Sequence, residues 1–87
     1  MTNENLLAEN LKESFGDVFV DARPFGDMAY ILGFVGKGTV EDFFAANKDA
    51  IIGAFRKSGA AERISDPRPI DIEPGKICFM VYVRAAL

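Results

Sequence analysis

Apolar and polar positions fall into blocks along this chain, and the sharpest block is Ile77-Cys78-Phe79-Met80-Val81-Tyr82-Val83, bounded by Lys76 and Arg84. Three of its side chains are β-branched and two are aromatic, which predicts a strand rather than a short helix. Alternation sends Ile77, Phe79, Val81 and Val83 to one face and Cys78, Met80 and Tyr82 to the other. The protein's own helices can cover one of those faces. What covers the second is the main lead to function.

The other blocks are read in chain order. Leu7, Leu11 and Ser14 or Phe15, widened by Leu6, carry the stripe of a helix capped by Thr2 or Asn3 and ended by Gly16. Residues 17–23 read as a strand with Val18, Val20 and Ala22 on one face and Phe19, Asp21 and Arg23 on the other. Pro24-Phe25-Gly26-Asp27 is a turn by composition. Residues 28–35 form a second strand that is apolar on both faces: Met28, Tyr30, Leu32 and Phe34 against Ala29, Ile31 and Val35. Thr39 caps a long helix over residues 40–58, with Asp42 at the capping-box position. Its buried face is Val40, Phe43, Phe44, Asn47, Ile51, Ala54 and Phe55, and Gly59 ends it. A short strand over 61–65 and a strand fragment over 70–72 follow, with Pro67 and Pro69 confining that stretch to an edge. Pro74-Gly75 then turns the chain into residues 77–83.

The element order is α-β-β-α-β-β, and its halves are alike. Asn3, Leu7, Leu11, Lys12 and Ser14 align with Asn47, Ile51, Phe55, Arg56 and Ser58, and Asp21-Ala22-Arg23-Pro24 aligns with Asp66-Pro67-Arg68-Pro69. The expected fold is an α+β two-layer domain spanning residues 1–87. It has a mostly antiparallel four-stranded sheet, two helices on one face and an internal pseudo-twofold repeat.

Composition narrows the function classes. Eighty-seven residues make one domain with a modest core, and 49% hydrophobic content with eight Phe argues against disorder. A net charge of −3 gives no broad positive field, which argues against nucleic acid as the main partner unless Arg23, Arg63, Arg68 and Arg84 converge. The polar, acidic start and the lack of an apolar run near the ~18 residues of a membrane span point to a cytoplasmic protein. Cys78 is the single cysteine and reads as a small hydrophobe in a strand.

Candidate chemistry is sparse. Histidine is absent, which removes the commonest general base and metal ligand. Asp17, Asp21 and Asp27 read as turn and surface residues rather than a paired-carboxylate site. No catalytic, metal or cofactor site is assigned. Gly36-Lys37-Gly38-Thr39 lies between a strand and a helix, as a phosphate loop does, but Gly38 separates Lys37 from Thr39 and breaks the Walker spacing. It remains a candidate anion loop. The open sheet face carries the favoured reading: Tyr30, Leu32 and Phe34, or Met80 and Tyr82 with Cys78, form an apolar patch for a protein partner.

Residues 11–33 resemble the N-terminal part of tailed-phage tail-terminator and neck proteins, the likeness resting on Val20-Asp21, Pro24 and Tyr30-Ile31-Leu32-Gly33. That resemblance implies a ring-forming virion protein whose sheets meet neighbouring subunits. The expected function is a non-enzymatic protein–protein assembly module, homo-oligomeric and of phage or mobile-element type. The alternatives are a small acidic inhibitor of a larger enzyme and an anion- or nucleotide-binding domain using residues 36–39.

Overall fold

The computed structural model describes residues 3–70 and 74–84. Helix α1 spans Asn3–Phe15 and is followed by one 3-10 turn, Gly16–Val18. Strands β1 (Phe19–Pro24) and β2 (Ala29–Val35) form a hairpin, and α2 spans Val40–Ser58. Two short strands, β3 (Arg63–Ile64) and β4 (Arg68–Pro69), precede the long β5 (Lys76–Arg84). The sheet is antiparallel, in the order β1-β2-β5-β3, with β4 also paired to β5. The α+β class is as the sequence implies, with five strands rather than four. The proposed cap Thr2, and Asp71 and Ile72 of the expected strand fragment, lie outside the described residues.

Both helices lie on one face, and their apolar stripes make the core with the sheet. Leu7 and Leu11 of α1 and Ile51 and Phe55 of α2 are fully buried. Thr39 Oγ1 accepts the Asp42 amide at 3.1 Å, satisfying one of the orphan donors at the start of α2. At the other end Gly59 takes φ 77° and returns its N–H to Arg56 and Phe55 carbonyls, a left-handed conformation that a side chain would strain. Phe34 is the hub of the core. Its ring meets Phe15, Phe19, Phe43 and Phe79 at centroid distances of 5.0, 5.9, 4.7 and 5.8 Å, joining both helices to three strands.

The sheet register makes the internal repeat geometrical. Exchanging β2 with β5, and β1 with β3 and β4 together, carries several of the pairings onto one another. Arg23–Ile31 maps onto Arg68–Met80, Pro24–Tyr30 onto Pro69–Phe79, and Phe19–Phe34 onto Ile64–Val83. The Ile31–Met80 pair maps onto itself, so the pseudo-twofold axis passes through it. A register shift between Phe19 and Asp21 marks a bulge in β1. The break between β3 and β4 is its counterpart, which is why the second half has two strand pieces where the first has one.

The bulge corrects the expected faces of residues 17–23. One extra residue inverts the alternation, so Phe19 and Ala22 both join the core while Val20 and Asp21 both lie beside Gly33 on the other face. The prolines of the repeated motif gain a meaning as well. Phe25 and Ile70 turn their N–H groups inward to the Ala29 and Cys78 carbonyls. By alternation the neighbouring Pro24 and Pro69 occupy positions whose N–H would point to the open edges.

Phe34→Ala should cost about 3–5 kcal/mol through the cavity left among four rings. Thr39→Ala should cost only about 1 kcal/mol. Urea unfolding followed by circular dichroism separates the two.

Candidate functional site

The sheet face turned away from the helices carries several of the large exposed apolar side chains among the described residues. Residues paired across an antiparallel ladder share a face, so the register identifies its members. Through the pseudo-twofold axis runs a row Arg23–Ile31–Met80–Arg68, crossing β1, β2, β5 and β4. On one side of it lie Asp21, Gly33, Cys78 and Ile70, and on the other Phe25, Ala29 and Tyr82. Ile31, Cys78, Met80 and Ile70 are half-buried. Val20, Val35, Phe25 and Tyr82 are 43%, 51%, 58% and 44% exposed, high values for residues of this kind.

The structure divides the expected interface residues between two faces. Met80 and Tyr82 lie on the open face. Leu32 and Phe34 are fully buried under the helices, and Tyr30 packs edge-on against Phe55 at 5.5 Å. Tyr30, Leu32 and Phe34 are therefore core residues and cannot share a surface with Met80 and Tyr82. The open face of β2 is built instead by Ala29, Ile31, Gly33 and Val35. Both faces of this strand are apolar, so alternation alone could not choose between them. Bulk could have: the Tyr, Leu, Phe set fills a core better than the Ala, Ile, Gly, Val set.

Charges frame the apolar centre. Arg23 pairs with Asp21 along β1 at 3.5 Å, with both side chains well exposed, so the pair contributes ~0–1 kcal/mol. Arg68 lies 5.6 Å from the centroid of the Tyr82 ring, within cation–π range. Beside it Ser65 both accepts the Tyr82 amide at 2.9 Å and donates to the Asp66 carbonyl at 2.9 Å. The face carries charge on its flanks and hydrocarbon through its middle.

The Gly36–Thr39 loop has another occupation. Gly36 gives its N–H to the Gly75 carbonyl at 3.0 Å, and Thr39 caps Asp42. Gly38 takes φ 103°, as a reversal of chain direction requires. Glu41 and Asp42 stand in the first turn of α2, where their charges oppose a bound anion. Lys37 and Thr39 are exposed, while the Gly36 N–H and the Thr39 hydroxyl oxygen serve the fold. Among the described residues no cluster of three His, Cys, Asp or Glu could hold a metal ion, and no helix is long and apolar enough to cross a membrane.

Comparison with family models, curated proteins and solved structures finds no match to this chain.

Leu32→Asp and Val35→Asp, three residues apart on one strand, separate the two faces. Leu32→Asp should abolish cooperative folding by burying an unpaired carboxylate. Val35→Asp should stay folded, with a loss of about 1 kcal/mol or less. Thermal unfolding of both variants checks the assignment.

Proposed function

We propose that this chain is a non-enzymatic assembly module that binds protein through its open sheet face, a second copy of itself being the first partner. The observation that carries the reading is the cluster of Val20, Phe25, Val35 and Tyr82, all large, apolar and exposed, around half-buried Ile31 and Met80. Four strands about 4.8 Å apart and some six residues of about 3.4 Å each make a face of roughly 400 Å². Its apolar part is smaller, because Asp21, Arg23 and Arg68 stand on its flanks, and apolar patches on monomers are often functional. A chain of 87 residues buries a modest share of its unfolded surface, so covering this face in an assembly adds stability that the core alone supplies sparingly.

The more specific form of the proposal is a structural protein of a phage or mobile element. It rests on the resemblance of residues 11–33 to tail-terminator and neck proteins. In such a role the sheet faces of successive subunits would be their mutual contacts.

Analytical ultracentrifugation or native mass spectrometry at high micromolar concentration tests the reading. The expected outcome is a dimer or larger assembly, dissociated by Ile31→Asp or Tyr82→Asp without loss of the subunit's helical signal. A wild-type chain that stays monomeric under those conditions removes self-association.

A further inference from the structure

We propose that the open face takes its second copy head to tail, on the acidic outer surface at the C-terminal end of that copy's α1, and not against another open face. This rests on the reading that the open face binds the chain itself. The register collects cations on that face. Arg23, Arg68 and Lys76 stand opposite Ile31, Met80 and Val35, and Arg63 joins them beside Tyr82 at the β3 edge. Among the described residues Asp21 is the one carboxylate that the ladders place with them. It answers Arg23 at 3.5 Å and leaves Arg63 and Arg68 in surplus. Two such faces brought together would set like charge against like, which costs affinity. The whole chain is −3, so a face with spare cations leaves the rest of the molecule more acidic still.

The acidic counterpart lies on α1. Glu9 and Glu13 are exposed on the side away from buried Leu7 and Leu11, and exposed Asp17 follows in the 3-10 turn. The described part of α1 carries a single cation, Lys12. Like charges at the spacing of Glu9 and Glu13 destabilise a helix. Glu13 also stands in the last turn, where the helix dipole disfavours a carboxylate. The repeat shows what the fold itself accepts there. Leu11-Lys12-Glu13-Ser14 aligns with Phe55-Arg56-Lys57-Ser58, and α2 has Lys57 where α1 has Glu13. The ion pairs of Asp21 with Arg23 and of Glu62 with Arg56 do not involve Glu9, Glu13 or Asp17, which among the described residues have no cation partner. Helix stability does not account for these carboxylates, and the cations of a neighbour's open face do. Beside them Val18 is 40% exposed, so this surface offers hydrocarbon as well as charge. The outer side of α2 is a poorer counterpart, because Glu41, Asp42 and Asp49 are balanced there by Lys48, Arg56 and Lys57. A nucleic-acid strand is poorer still, since the net charge of −3 repels a polyanion. Two different patches that meet in this way make a heterologous contact.

The test is sedimentation of the full chain as two variants, alone and mixed. Glu9→Lys with Glu13→Lys removes the acidic surface and keeps the open face, whereas Tyr82→Asp spoils the open face and keeps the acidic surface. Each variant alone should self-associate about tenfold or more weakly than the wild type. An equimolar mixture should form a one-to-one heterodimer, in which the intact face of the first chain meets the intact α1 of the second. Wild-type association should also weaken as sodium chloride is raised. A mixture that stays monomeric, or a Glu9→Lys, Glu13→Lys chain that assembles as the wild type does, overturns the head-to-tail arrangement while leaving self-association through the open face in place. A wild type that stays monomeric removes both. The melting temperature of the Glu9→Lys, Glu13→Lys chain should be unchanged or higher, and a lower one counts against the proposal, because the carboxylates would then serve the fold.

Discussion

The antiparallel ladder between β2 and β5 decides where everything else in this domain goes. Seven residue pairs from Ala29–Tyr82 to Val35–Lys76 fix the register of two strands that are apolar on both faces. A slip of one residue would move Phe34, Leu32 and Tyr30 out of the core and Ile31 and Val35 into it. In the observed register Phe34 and Phe79 stack beneath the helices, and α1 and α2 close over them. The same pairing puts Ile31 beside Met80 on the opposite side, where no helix reaches. One set of backbone hydrogen bonds thus creates both the core and the uncovered surface.

Much of this was legible in the chain. The helix over residues 40–58, its Thr39 cap and its Gly59 end follow from local rules that tertiary packing did not override. The order of elements and the repeat were legible too, since Leu7, Leu11, Ile51 and Phe55 recur at matched places. Two points were not. The side of β2 that faces the helices depends on its pairing with a strand more than forty residues away, which alternation within residues 28–35 cannot reveal. The bulge at Val20 adds one residue to one strand, and no turn residue marks it. Both points concern side-chain faces, and the candidate surface is defined by faces. Alternation alone therefore places Tyr30, Leu32 and Phe34 on a surface they do not reach, and leaves out Ile31 and Val35.

The repeat also separates what the fold requires from what it carries. Positions that correspond under the exchange and keep their character, such as Tyr30 with Phe79 and Leu32 with Val81, answer to the core. Pro24 and Pro69 answer to the sheet edges. Positions that differ are freer to serve something else. Gly33 corresponds to Tyr82, so the two halves of the open face differ in bulk at that position.

The prolines at the margins bear on how this domain behaves when crowded. A sheet with bare lateral strands invites copies to add on edge to edge, the route to cross-β stacking. Pro24 on one margin and Pro69 on the other each withhold a backbone donor from that lateral contact, and the bulge and its counterpart break the straight run of each margin. Growth in the plane of the sheet is thereby discouraged on both sides. A chain with 49% hydrophobic residues thus exposes apolar side chains on a flat surface while its rim is guarded. Contacts made through a flat surface can close on themselves, which favours discrete complexes over fibres.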